Sequence, residues 1–252
     1  MSSVNFALLA ERFCEPGVQA IALMGSHARG DAGPFSDIDL VRFWSTNDLP
    51  QTATHLIADH FVVITNEGPQ TAETWFTEPH KVVKSIRSVL DAQPLCDPKG
   101  LIATFQQRAA SFVWDEQMQQ RANEYASIQM VGWIEEAQKA LEGLKRNDVG
   151  RLLNGKHGLS WGLLDVVFVQ RGIMIGSDNT IYEAVTSAMG QASQWTRLSR
   201  QAFGIDRLSL IDEVKAGLEL YILTAQMLDH IFTAQDRVMI REVVRRIKGE
   251  LG

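Results

Sequence analysis

Residues 20–44 read Ala20-Ile21-Ala22-Leu23-Met24-Gly25-Ser26-His27-Ala28-Arg29-Gly30-Asp31-Ala32-Gly33-Pro34-Phe35-Ser36-Asp37-Ile38-Asp39-Leu40-Val41-Arg42-Phe43-Trp44. An apolar run enters a Gly-Ser turn, passes through a loop with further glycines, and returns as an apolar run carrying two aspartates. Side chains alternate sides along a strand, so Asp37 and Asp39, two apart, share one face. Two carboxylates held that close repel, and each raises the other's pKa. A divalent cation relieves the repulsion. Hard oxygen donors suit Mg²⁺, which is commonly held by one or two carboxylates together with substrate phosphates. The Gly25-Ser26 turn puts small side chains and free backbone N–H groups where a phosphate can approach.

An Asp-x-Asp pair alone is common. The composite of strand, Gly-Ser, glycine-rich loop and Ser-Asp-Ile-Asp-Leu-Val strand is far more specific. It resembles the signature of the DNA polymerase β-like nucleotidyltransferase superfamily.

Working outward, Val4–Cys14 reads as a first helix stopped near Pro16-Gly17, and Val18–Met24 and Asp37–Trp44 as strands. Leu49–His60 reads as a short helix or connection, and His60–Asn66 as a β-branched third strand. After the Gly68-Pro69 turn, Thr71–Thr77 reads as a fourth strand paired antiparallel with the third. Glu78-Pro79 opens an amphipathic helix with Val82, Val83, Ile86, Val89 and Leu90 on its apolar face. Beyond Gly100 the pattern is helical throughout, with Asp178 and Asp206 as N-cap candidates and Gly172, Gly190 and Gly204 at helix ends. The fold class expected is α+β. A nucleotidyltransferase domain with a mixed sheet and flanking helices spans 1–105, and an all-α helical bundle that binds substrate spans 106–252.

Composition narrows the function. The chain has 252 residues, 45% hydrophobic and 21% charged, with a net charge of −6. A pI near 5.5 argues against a nucleic-acid backbone as partner, which calls for a basic stripe, and is compatible with a cationic small molecule. Two cysteines, Cys14 and Cys96, in no ligand-like spacing fit a reducing compartment. With no signal-peptide pattern and no apolar run long enough to span a bilayer, a cytoplasmic location is expected.

Within the superfamily the layout resembles the kanamycin, streptomycin and lincosamide nucleotidyltransferases, which place a helical domain after the catalytic one. That resemblance implies Mg²⁺ on Asp37 and Asp39, and ATP as co-substrate with its triphosphate held by Gly25 and Ser26. It also implies transfer of AMP to a hydroxyl of a small molecule such as an aminoglycoside, with antibiotic resistance as a biological role and a homodimer as an assembly. Arg29 and Ser36 are further phosphate-binding candidates, although Arg29 reads equally as a surface charge. His27 reads as non-catalytic.

Such enzymes take a third acid from a neighbouring strand. Glu67, Asp91 and Asp97 read as turn or surface residues. Glu73, on the expected strand beside Trp75, is the candidate base, with Trp75 flanking the cleft. For the acceptor, the resemblance points to acids of the helical half: Glu135, Glu136 and Asp165. Lys139, Lys156 and His157 are candidates for nucleotide phosphates. Asp165 interrupts a strongly apolar helix, where a charge needs a partner. Two other classes remain open: a protein- or RNA-modifying, antitoxin-like nucleotidyltransferase, and a non-catalytic nucleotide-binding module.

Overall fold

The computed structural model of the chain describes residues 5–252. Val4, the expected start of the first helix, lies outside them. The chain divides into two compact units. The first comprises the residues up to Trp114 together with Met174–Thr180, and the second comprises Asp115–Ile173 and Ile181–Gly252.

The first unit is built on a mixed five-stranded sheet. Its strands are β1 (Val18–Met24), β2 (Ile38–Trp44), β3 (Ala53–Ile57), β4 (His60–Glu67) and β5 (Gln93–Cys96). Their order across the sheet is β3-β4-β2-β1-β5. β2 runs antiparallel to β1 and parallel to β4. The alternation of side chains sorts the core into two layers. Ile21, Leu23, Ile38, Leu40, Val62 and Ile64 face one side with Leu9 and Phe13 of α1 (Phe6–Phe13). Ala20, Ala22, Met24, Val41 and Phe43 face the other, with Ala72 and Ile102 from the helices that follow.

Two expectations about this unit are corrected. Leu49–His60 holds no helix. It contains β3, joined to β4 by Ala58 and Asp59, both at positive φ (48° and 65°). Two successive left-handed residues match the right-handed twist of the strands they join.

Thr71–Thr77 is not a strand either, but the body of α3 (Pro69–Thr77). The turn residues decide this. Pro69 stands at the first helical position, and Thr71 Oγ1 accepts a 2.9 Å hydrogen bond from the Gly68 N–H. Proline's fixed φ and this local bond start a helix. Ala72 and Phe76, four apart, are both buried, Ala72 in the core layer of the sheet and Phe76 against Phe105. Two helices follow, α4 (Pro79–Asp91) and α5 (Leu101–Ala110). Val82, Val83, Ile86 and Val89 of α4 are buried, as the sequence pattern requires.

The second unit is helical: α6 (Glu116–Gly132), α7 (Ile134–Arg146), α8 (Val149–Gln170), α9 (Ile181–Met189), α10 (Gln194–Ala202), α11 (Leu210–Leu228) and α12 (Ala234–Leu251). At Trp133 α6 gives way to α7. The expected N-caps also move. Ser209 caps α11, while Asp206 accepts from Arg200 at 2.6 Å and Asp178 opens a 3₁₀ turn.

α8 is the core of this unit, with Leu159, Leu163, Leu164 and Val166 fully buried. Two large buried side chains are tied by hydrogen bonds: Trp195 Nε1 donates to Thr224 Oγ1 at 3.0 Å, and Tyr221 OH to the Met130 carbonyl at 3.0 Å. No helix among the described residues is long and apolar enough to cross a membrane.

Candidate active site

The strand register sets the site. Met24, the last residue of β1, pairs with Asp39 of β2. The chain then turns at Gly25 into the short helix α2 (Gly25–Arg29). Gly25 has φ +67°, and a β-carbon there would collide with Asp39 Oδ2 and lie 3.1 Å from Asp39 Cγ. Glycine is thus required twice, for the left-handed backbone and for the space its missing side chain leaves to the carboxylate. Gly30, at φ +81°, ends α2 with its N–H on the Ser26 carbonyl at 2.9 Å. The loop closes on itself at Gly33–Ser36: Ser36 N–H donates to the Gly33 carbonyl at 3.1 Å, and Gly33 N–H to Ser36 Oγ at 2.9 Å. That turn leaves Phe35 99% exposed.

These elements surround a cavity of about 610 Å³ within the first unit. Gly25, Ser26, Arg29, Ser36, Asp37 and Asp39 all line it, so six of the sequence candidates meet in one place. Asp37 is exposed and Asp39 half-buried. Burial pushes the Asp39 carboxyl above its ordinary range and Asp37 pushes it further, partly offset by His27 and Arg29. Asp39 is therefore a carboxylate short of positive charge.

Sequence reasoning missed the other wall. Lys84 and Ser88 of α4 line the cavity, together with Ile175–Asn179, a segment whose flanking residues belong to the second unit. The segment is bound to its place by Ile175 N–H on the Val83 carbonyl at 2.9 Å and by Arg29 Nη1 on the Gly176 carbonyl at 2.7 Å. Lys84 was legible only as a polar position of an amphipathic helix, and nothing in the composition of 174–180 marks it as part of the first unit.

Glu73 and Trp75 are not brought to this cavity. Glu73 lies on α3 and forms a two-pronged pair with Arg108, one prong at 2.6 Å. That hydrogen bond holds the Glu73 carboxyl below its usual range. Trp75 packs edge-on against Phe43, centroids 5.6 Å apart. Glu73 lines a separate small hollow with Phe43 and Phe105. Beside Asp39, on the parallel strand β4, the register places Val63 rather than an acid. Among the described residues no cluster of three metal-ligating side chains occurs.

The helical candidates lie in the second unit and have local partners. Lys139 Nζ is 2.8 Å from both Glu135 Oε1 and Glu136 Oε1. Asp165 accepts from Tyr125 OH at 2.8 Å, the partner its apolar surroundings call for. Lys156 pairs with Glu213 at 2.6 Å.

Comparison with known proteins agrees with this geometry. Residues 7–48, which run from the first helix through Asp37 and Asp39, match the nucleotidyltransferase domain family. A solved structure of a nucleotidyltransferase-like protein from Exiguobacterium sibiricum is similar in fold. It shares 12% identity over 98% of this chain and 89% of its own, with a TM-score of 0.52. No curated protein sequence matches the chain. The family match and the fold support membership of the first unit in the polymerase β-like nucleotidyltransferase superfamily. The matched residues carry the Gly25-Ser26 turn and both aspartates of the cavity.

Proposed function

We propose that the protein transfers the nucleoside monophosphate of a nucleoside triphosphate, AMP from ATP, to a hydroxyl group of a small molecule, releasing pyrophosphate. The observation that carries this reading is the contact between Gly25 and Asp39. The backbone gives up a side chain so that a half-buried carboxylate can stand against the Gly-Ser turn, beside a second carboxylate and in a cavity of about 610 Å³.

Magnesium fits this site. Asp37 and Asp39 offer hard oxygen donors, and the upward push on the Asp39 carboxyl is the strain a divalent cation relieves. Held there, Mg²⁺ supplies neutralisation of charge on the phosphates. The chain's own residues do the rest by positioning. Ser26 and the open backbone at Gly25 take the triphosphate, and the self-closed Gly33–Ser36 turn holds the entrance to β2 in place. Positioning and fixed electrostatics supply most of the rate in phosphoryl transfer. Glu73 has no part in this reading, since its carboxylate is neutralised by Arg108 in another hollow.

A small-molecule acceptor accords with the net charge of −6, which disfavours a polyanionic partner. The test is pyrophosphate release with each nucleoside triphosphate and Mg²⁺ against a panel of aminoglycosides, lincosamides and cellular metabolites, with Asp39→Asn as control. Release that depends on both acceptor and Asp39 is expected. Label from ATP appearing on protein or RNA instead would assign a macromolecular acceptor. No release with any acceptor would overturn the reading.

A further inference from the structure

Two cations line the cavity among the described residues, Arg29 and Lys84, and they are held very differently. Arg29 is built in. Its side chain is 19% exposed, Nη1 donates to the Gly176 carbonyl at 2.7 Å, and Nε and Nη2 both reach Asp31 at 3.2 Å. Its donors are spent on the loop and on the segment 174–180. Lys84 is 45% exposed, and its ammonium pairs with Asp178 Oδ1 at 3.3 Å, itself 74% exposed. Exposed pairs of this kind contribute little and are easily exchanged.

The backbone beside Asp178 is fixed. Ile175 N–H donates to the Val83 carbonyl, the Gly176 carbonyl accepts from the Arg29 side chain, and Ile175 is buried. Asp178 stands two residues beyond that anchor, so its side chain can leave Lys84 while the segment stays in place.

We infer that Lys84 is the residue that binds the outer phosphates of the nucleotide, and that Asp178 is a built-in competitor occupying Lys84 until a triphosphate displaces it. This rests on the reading of the cavity as a nucleoside triphosphate site and names a binding residue and a gate within it. An ammonium on a flexible stem suits this task, because it can swing from a carboxylate to a phosphate as a point charge. The exchange also separates charges sensibly. Asp37 and Asp39 take the cation that accompanies the nucleotide, and Lys84 takes phosphate charge that the cation leaves uncompensated.

The two partners should respond in opposite directions, which a merely structural salt bridge would not. Binding of ATP and of inorganic tripolyphosphate, each with Mg²⁺, is measured by calorimetry on the full-length chain, with melting temperature as a check on folding. Lys84→Ala should weaken both ligands about tenfold, the size of one charge-assisted contact. Asp178→Asn should tighten both about two- to fivefold, since the competitor lost is an exposed pair. In the Lys84→Ala background, Asp178→Asn should have no further effect.

Asp178→Asn leaving affinity unchanged or weakening it, or acting equally without Lys84, would overturn the gate. Lys84→Ala binding like wild type would overturn the phosphate assignment. If wild type binds ATP while both variants are silent, this inference fails and the nucleotide reading stands. If wild type binds neither ligand, both fail.

Discussion

Gly25 and Asp39 are complementary: the glycine sits at φ +67°, and the space its missing β-carbon leaves is filled by the Asp39 carboxylate. This contact joins the two halves of the motif, the turn after β1 and the start of β2. Gly25→Ala would strain the backbone by about 1 kcal/mol and push the carboxylate aside. We expect a measurable drop in melting temperature and a loss of transfer of at least about 100-fold, the order that a misplaced reacting group costs. Wild-type turnover in a folded Gly25→Ala protein would show that the close approach has no catalytic purpose.

Asp39→Asn keeps the shape and removes the charge. Since burial and Asp37 both disfavour that charge in the fold, its loss should leave the melting temperature unchanged or slightly raised in the absence of metal. Activity should fall by about 10³-fold or more, as when a group stabilising transition-state charge is removed. Added Mg²⁺ should raise the melting temperature of wild type and leave that of the variant alone, because only a state that binds is stabilised. Equal thermal shifts in the two proteins would place the metal elsewhere.

The site was legible in the sequence where its geometry is local. A strand, a Gly-Ser turn and an Asp-x-Asp strand carry their spacing in the chain itself, and Gly25, Ser26, Arg29, Ser36, Asp37 and Asp39 do meet in one cavity. What depends on distant pairing was not legible. Thr71–Thr77 is rich in strand-forming residues, but the proline at the first turn and the pair Ala72/Phe76 make it a helix, which carries Glu73 to Arg108. Lys84 and residues 174–180 come to the cavity through hydrogen bonds that span about ninety residues of sequence, such as Ile175 to Val83. No local pattern encodes such a contact.

Glu73 offers a test of that correction. Its carboxyl lies below its usual range because Arg108 bonds to it, so the pair stabilises the fold at pH above the ordinary glutamate value of 4.5. That stability is lost as pH falls through the lowered folded-state value. The pair is about half exposed, so the amount is small, about 0.5 kcal/mol. Glu73→Gln should flatten the acid limb of a stability-against-pH curve by that order and leave kcat and its pH profile unchanged. A large fall in kcat with intact nucleotide binding would restore Glu73 as the base.

In the helical unit, Lys156 and Glu213 form the opposite kind of pair. Their side chains are 16% and 10% exposed, and the charges stand 2.6 Å apart. Gly204 lies against them, where a β-carbon would be 2.8 Å from Glu213 Oε1 and 3.1 Å from Lys156 Nζ, so little space remains for water. Removing one partner of a buried pair strands the other charge in a poor solvent, which costs about 3–5 kcal/mol. Lys156→Met should therefore lower unfolding free energy by that order in urea. Replacing both, as Lys156→Met with Glu213→Leu, should recover most of the loss, because neither charge is then left to bury. If Lys156→Met is instead neutral in stability but weakens ATP binding, Lys156 serves the nucleotide and the pair with Glu213 is incidental.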